Sequence, residues 1–277
     1  MKNKTKLPKP FLKWAGGKTK IIPHIIPLLP NDNINYLEPF LGGGALFFEL
    51  SRTQKLSKAI INDSNRDLIN VYKVIKYSVN SLIEELDSLR YKNTQADYLK
   101  IRSHNPLNLS AVKAAARFIY LNRTCFNGLF RVNKKGFFNV PYGKYANPII
   151  CDRENLKAVH LALENTSIHG EDYIEFSARA KSGDYVYFDP PYLPISKSSN
   201  FTEYTDVPFG IKEHELLREL IDKLTTQGVK CIISNSYCDQ TLALYQGYNV
   251  RVLEGNRNVG GSSDSRKKVK EILVTNY

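Results

Sequence analysis

Tyr185-Val186-Tyr187-Phe188-Asp189-Pro190-Pro191-Tyr192 is the stretch on which the reading of this chain turns. Its first four residues are apolar or aromatic and uncharged, as in a buried strand. Proline has no N–H for the ladder, so the strand must end at Asp189. That puts a carboxylate at a strand's C-terminal edge, where open α/β sheets bind ligands. The two prolines stiffen the turn and hold Asp189 and Tyr192 in a fixed relation. The Asp189 carboxylate and the Pro190 carbonyl are two acceptors beside an aromatic face. Together they suit a planar group that carries an amine, such as the exocyclic amine of a nucleobase. A proline-rich turn with a solvated aspartate is the competing reading, and the turn alone does not choose between them.

The 277 residues make one large domain, or one domain with an inserted module. A hydrophobic content of 42% with 24% charged residues is that of a soluble globular chain. No run approaches the ~18 apolar residues of a membrane span. The basic stretch from Met1 to Pro10 is not followed by an apolar signal region, so a cytoplasmic location is expected. Cys125, Cys151, Cys231 and Cys238 have no metal-ligand spacing and read as free thiols in a reducing compartment, and no metal is expected. The net charge of +12 favours a polyanionic partner. Nucleic acid ranks ahead of a membrane, because no long basic amphipathic helix is present; a basic surface kept for solubility is the alternative.

Along the chain, residues 1–10 are expected to form a mobile basic arm. Phe11 to Lys18 brings together a tryptophan, a glycine pair and a lysine without P-loop spacing. Tyr36 to Leu50 reads as strand, glycine turn and apolar helix. Ala59 to Asp63 reads as a second strand ending in an acid. Asp63 lies about 20 residues past the first glycine of the turn, a spacing that suits a ribose hydroxyl pair. This combination points to an adenosine-containing cofactor without separating a dinucleotide from S-adenosylmethionine. From about Arg66 to Leu121 the apolar spacing is helical throughout, which marks an inserted helical module. Leu121 to Tyr145 mixes basic, amide, aromatic and glycine residues. Arg131 suits bidentate pairing with guanine, Asn127 suits base or backbone contacts, and the aromatics suit wedging or stacking. A hairpin with a solvated basic face is the alternative.

Residues 152–165 read as a helix, and Ser167 to Tyr173 as a strand ending at acids, with Asp172 able to face a cofactor's adenine. His169 reads as structural. Residues 194–210 and 255–268 are polar and expected to be mobile, the second able to lie on phosphates. Helix 213–224 and strands 229–236, 248–253 and 270–277 complete the chain.

Taken together, these pieces resemble the Dam-type (D12 class) DNA adenine-N6 methyltransferases, which include the GATC methylases of restriction-modification systems. The residues that carry the likeness are Phe11 to Lys18 (F-x-K-W-x-G-G-K), Glu38 to Gly44 (E-P-F-x-G-G-G), Asn62-Asp63 and Asn122 to Asn133 (N-R-x-x-F-N-G-L-x-R-x-N). Phe138 to Gly143 (F-N-V-P-Y-G), Asp189 to Tyr192 and Glu271 to Tyr277 (E-I-L-V-T-N-Y) follow in the same order. Cys125 departs from the pattern at a variable position.

The resemblance implies an α/β fold: a class I S-adenosylmethionine-dependent methyltransferase (Rossmann-like) sheet. Residues 1–65 and 152–277 would form the catalytic domain and residues 66–151 a mainly helical target-recognition domain. Trp14, Lys18, Glu38, Phe40, Gly42, Gly44, Asp63, Asp172 and Asp189 fall at cofactor positions. Asp189, Pro190, Pro191 and Tyr192 fall at the catalytic turn. Lys13, Arg123, Asn127, Leu129, Arg131, Pro141 and Tyr145 fall in the DNA-reading region. The implied reaction moves a methyl group from S-adenosylmethionine to N6 of a flipped-out adenine in double-stranded DNA, at GATC. A restriction endonuclease acting at the same site is a possible companion that need not touch this chain. Competing functions are an amino-methyltransferase for RNA or cytosine N4, and a DNA-binding protein without activity.

Overall fold

The computed structural model describes residues 6–14, 16–18, 20–193, 209–256 and 268–277. Of the segments expected to be mobile, 194–210 and 255–268, residues 194–208 and 257–267 lie outside the described residues, as do the first five residues of the arm. Among the described residues the strands are β1 (Ile34–Glu38), β2 (Leu56–Asn62), β3 (Thr166–His169), β4 (Tyr185–Phe188), β5 (Lys230–Ser236), β6 (Asn249–Asn256) and β7 (Lys268–Thr275). They form a seven-stranded sheet in the order β3-β2-β1-β4-β5-β7-β6. The first five run parallel, while β7 is antiparallel to both β5 and β6. This is the class I methyltransferase sheet. The strand order reverses at the β1–β4 pair, so the ends of these two strands flank the ligand crevice.

Local chemistry explains why the elements start and stop where they do. All four residues of β4 are buried, and the chain leaves the sheet at the prolines, as expected. Helices α1 (Ile22–Ile25) and α2 (Ala45–Arg52) flank β1. Helix α3 (Arg66–Leu89) starts where Asn65 Oδ1 accepts from the Leu68 N–H, and it kinks at Ser78. Helix α4 (Gln95–Ser103) begins with a Thr94–Asp97 capping box, and α5 (Ala111–Thr124) with Ser110. Helix α6 (Arg153–Leu163) is capped by Asp152. Helices α7 (Tyr173–Ser177), α8 (Ile211–Thr226) and α9 (Asp239–Leu244) follow.

The helical stretch is present, and α3 packs chiefly on α5, then on α6, and also touches β3. Residues from α3, α4 and α5 share one apolar cluster with Phe11, Tyr36 and Tyr187. The core is thus continuous from the helices into the sheet.

Three expectations need correction. Gly255, Asn256 and Lys268, expected within a mobile loop, are paired instead, because β6 and β7 run on as an antiparallel ladder to Asn256 and Lys268. The described part of the arm is docked: Lys6 pairs with Asp152 at 2.8 Å, and Asn155 exchanges two hydrogen bonds with the Lys9 backbone, at 3.0 and 3.1 Å. Asn155 is buried on α6, so these bonds fix residues 6–10 against that helix. Strand β3 stops at His169 rather than reaching Tyr173. Asp172 instead caps α7, accepting from the Ile174 N–H at 2.8 Å. No helix of the described residues is long and apolar enough to cross a membrane.

Candidate active site

Asp189 follows β4 directly and is half-buried. One of its oxygens, Oδ1, accepts from Ser234 Oγ at 2.7 Å and pairs with Lys18 Nζ at 2.9 Å. The same Lys18 ammonium stands 4.3 Å from the centroid of the Tyr192 ring and donates to the Gly16 carbonyl at 2.9 Å. Burial pulls the Lys18 pKa down, but Asp189 and Tyr192 together outweigh it and hold the ammonium above the usual lysine range. Carboxylate and aromatic face thus already bracket an N–H donor. Tyr192 itself donates to Glu271 Oε2 at 3.4 Å.

Beside this turn, at the end of β1, Glu38 is 2% exposed. Its Oε2 has no hydrogen-bond partner among the described residues. Burial first, then the nearby Asp189 and Asp63 charges, push its carboxyl well above the usual range. An orphaned buried acceptor of this kind calls for a donor or a cation from a ligand. The glycine turn follows, with Gly42 at φ +50° and Gly44 at φ +67°. A Cβ on Gly42 would stand 2.8 Å from the Trp14 ring, so the indole closes over the turn. Asp63, at the end of β2, accepts from the Gly42 N–H at 2.8 Å and from the Asn65 N–H at 2.9 Å. Buried Asn62 ties the loops after β1 and β3 together, donating to the Pro39 and Glu171 carbonyls at 3.0 and 3.1 Å. Phe40 packs on Tyr173 and Phe209 at centroid distances of 5.1 and 5.7 Å. Carboxylates, a tight glycine turn and an aromatic cluster therefore meet on one sheet edge. They fit a cationic, adenosine-bearing cofactor. Among the described residues no group of three His, Cys, Asp or Glu is placed to hold a metal.

The basic segment after α5 is a hairpin, with bridges Cys125–Tyr142 and Val132–Phe138 and a tip at Asn133 to Gly136. Its base is fastened to the N-terminal segment by buried Asn122, which bonds the Lys13 N–H and C=O at 2.8 and 2.7 Å and the Gly128 carbonyl at 3.0 Å. Lys13 Nζ lies 4.0 Å from the Tyr145 ring centroid, and the Tyr145 hydroxyl accepts from the Asn127 N–H at 3.0 Å. Lys13, Asn127 and Tyr145 are thereby brought together. Arg131 is exposed, its Nε held by Asn139 Oδ1 at 2.8 Å. Pro141 is exposed, and its carbonyl accepts from the Phe126 N–H at 2.9 Å. Leu129 packs against the core. Arg123 stands apart: half-buried, it donates to the Phe11 carbonyl at 2.5 Å, and burial lowers its pKa. Trp14 links the two regions, stacked on Phe118 and Phe130 at 6.2 and 6.0 Å.

The chain also matches known proteins in sequence over nearly its whole length. The pattern that defines the D12 class N6 adenine-specific DNA methyltransferases matches residues 14–259. This chain belongs to that family. The methyltransferase is 43% identical to the type II methyltransferase M1.LlaDCHI of Lactococcus lactis subsp. cremoris, over 100% of this chain and 98% of that protein. It is 44% identical to the type II methyltransferase M.MjaIII of Methanocaldococcus jannaschii, over 97% and 99% of the two chains. The DNA adenine methylase of Escherichia coli (strain K12) is 33% identical over 95% of this chain and 94% of its own.

Several residues of the methyltransferase's site carry no conspicuous sequence motif. Tyr173 and Phe209 complete the aromatic cluster. Behind the turn lie Ser234 and His214. Ser234-Asn235-Ser236 did offer a signal. Three polar residues in a row end an otherwise apolar strand, and buried polar groups demand partners. What the partners are depends on how the strands lie side by side.

Proposed function

We propose that this adenine-specific DNA methyltransferase uses S-adenosylmethionine to methylate N6 of a flipped-out adenine in duplex DNA at GATC. The observation that carries the reading is the Lys18 ammonium, held against the Asp189 carboxylate and over the Tyr192 ring. A nucleobase amine needs the same pairing of acceptor and ring.

The free residues of the crevice suit the cofactor. Glu38, with its unpartnered oxygen, would take the cationic end. Asp63 would take the ribose hydroxyls, and Phe40 with Tyr173 would wall the adenine near Asp172. Trp14 and the glycines Gly42 and Gly44 shape the floor. S-adenosylmethionine supplies a methyl group on a sulfonium, an activated leaving group. The chain's task lies at the acceptor nitrogen. The N6 lone pair is delocalised into the ring and is a poor nucleophile. Hydrogen bonds from the amine to Asp189 and to the Pro190 carbonyl favour a pyramidal nitrogen with its lone pair free. They strengthen as positive charge develops, so they stabilise the transition state more than the ground state. Pro190 and Pro191 fix the turn, and Tyr192 stacks on the base.

Adenine in a duplex is paired and stacked, so the base must leave the helix to reach this turn. Residues 66–151 form the target-reading part, with Lys13 added from the N-terminal segment. Lys13, Asn127, Arg131 and Tyr145 lie on or against the hairpin, and exposed Phe126 suits a wedge between bases. A cytoplasmic enzyme associated with DNA, in a restriction-modification setting, fits the type II relatives.

The test incubates purified protein with S-adenosylmethionine and unmethylated plasmid and maps modified adenines at base resolution. Methylation confined to the adenine of GATC is expected. Modification at another motif would keep the chemistry and overturn the site.

A further inference from the structure

The turn that carries Asp189 is held from behind by β5 and α8. Strand β5 runs parallel to β4 with Ile233 opposite Phe188, so the next three residues of β5 lie beside the turn. All three bond it. Ser234 Oγ donates to Asp189 Oδ1 at 2.7 Å, and the Tyr187 hydroxyl, 2.9 Å away, donates to Ser234 in turn. Asn235 Oδ1 accepts from the Leu193 N–H at 3.3 Å. Ser236 Oγ donates to the Leu193 carbonyl at 2.7 Å.

His214 of α8 completes the set. Its Nε2 is 3.1 Å from the Pro191 carbonyl, and its Nδ1 is 3.3 Å from Asn235 Nδ2. A carbonyl can only accept, so Nε2 carries the hydrogen and Nδ1 accepts from the amide. The ring is therefore neutral and satisfied on both sides. Ser234, Asn235, Ser236 and His214 are all buried.

The prolines do not make this arrangement redundant. Proline fixes its own φ and leaves ψ free. The ψ of Pro191 aims its carbonyl, and His214 bonds that carbonyl. The side-chain torsions of Asp189 aim its carboxylate, and Ser234 bonds that carboxylate. Buried polar side chains are costly to leave unpaired. Here they find their partners in the turn and in one another.

We propose that Ser234, Asn235 and His214 are positioning residues for methyl transfer, acting through Asp189 and the 190–193 backbone. The inference rests on the reading that Asp189 holds the target amine. A misplacement of about 1 Å at a reacting group costs on the order of 10²-fold in rate.

The test compares wild type, Asp189→Ala, Ser234→Ala, His214→Leu and His214→Gln for kcat, for KM toward DNA and methyl donor, and for thermal midpoint. Gln offers a donor and an acceptor where His214 has them, whereas Leu fills the space with neither. Ser234→Ala and His214→Leu are expected to lose on the order of 10²-fold in kcat with both KM values within about twofold. His214→Gln is expected to recover most of that loss. Dead Asp189→Ala alongside wild-type kcat in Ser234→Ala and His214→Leu would overturn the inference alone. So would a His214→Gln enzyme that stays folded yet is as slow as His214→Leu. Turnover by Asp189→Ala would instead remove the reading beneath it, and the inference with it.

Discussion

Arg131 and His214 show how one side chain's surroundings set its task. Arg131 is exposed at the hairpin and held on one side by Asn139. Reading guanine, it would confer selectivity at one base pair. Arg131→Ala should relax the choice at that pair at a cost of about 1–3 kcal/mol, measured by methylation of substrates varied one position at a time. An equal loss on every sequence would mark a phosphate contact. His214 is buried, and burial lowers its pKa from the ordinary 6.5 to about 4. The unfolded chain then binds the proton more readily than the folded one. This stability is full above pH 6.5, falls as pH drops toward 4, and amounts to up to about 3 kcal/mol. Urea denaturation at pH 7 and pH 4.5 checks it. His214→Gln, which cannot titrate, should lose less stability between those values than wild type, and equal losses would contradict the buried neutral ring.

At the scale of elements, the glycine turn between β1 and α2 and the hairpin tip pose a matched pair. Gly42 and Gly136 both have left-handed φ, +50° and +77°. A Cβ on Gly42 would also meet the Trp14 ring at 2.8 Å, whereas at Gly136 nothing lies within 4 Å. Gly136→Ala should therefore cost only the conformational penalty of about 1–2 kcal/mol. Gly42→Ala adds overpacking of typically 1–3 kcal/mol. It should also weaken cofactor binding, because the indole has to move off the turn. Denaturant midpoints and donor titration of the two variants check this ordering. These turns were legible in the sequence because glycine runs mark backbone that other residues resist. The docking of residues 6–10 on α6 was not. It depends on Asp152 and Asn155, with Asn155 146 residues from its Lys9 partner.

For the whole molecule, the net charge of +12 favours a polyanionic partner, and DNA binding should follow it. Each phosphate neutralised by a lysine or arginine releases counterions, so log affinity should fall with log salt by about 0.9 per contact on duplex DNA. Binding isotherms across a salt series should therefore weaken steeply for specific and nonspecific duplex alike. A flat series would mean that the excess charge serves solubility alone.

The sequence by itself determined the strands in their order along the chain, the end of β4 before Asp189, the glycine turn, the places of helices α5, α6 and α8, and the family. These follow from local rules: proline cannot continue a ladder, glycine admits left-handed φ, and apolar periodicity declares a helix or a strand. Tertiary structure alone decided who stands behind and around Asp189. Lys18 reaches it from the N-terminal segment, and Ser234, 45 residues on, reaches it from the neighbouring strand. Asn122 joins the hairpin to Lys13 across 109 residues. Such contacts depend on strand register and helix packing. They arise only when distant segments share one core, and no local pattern encodes which two polar side chains will meet there.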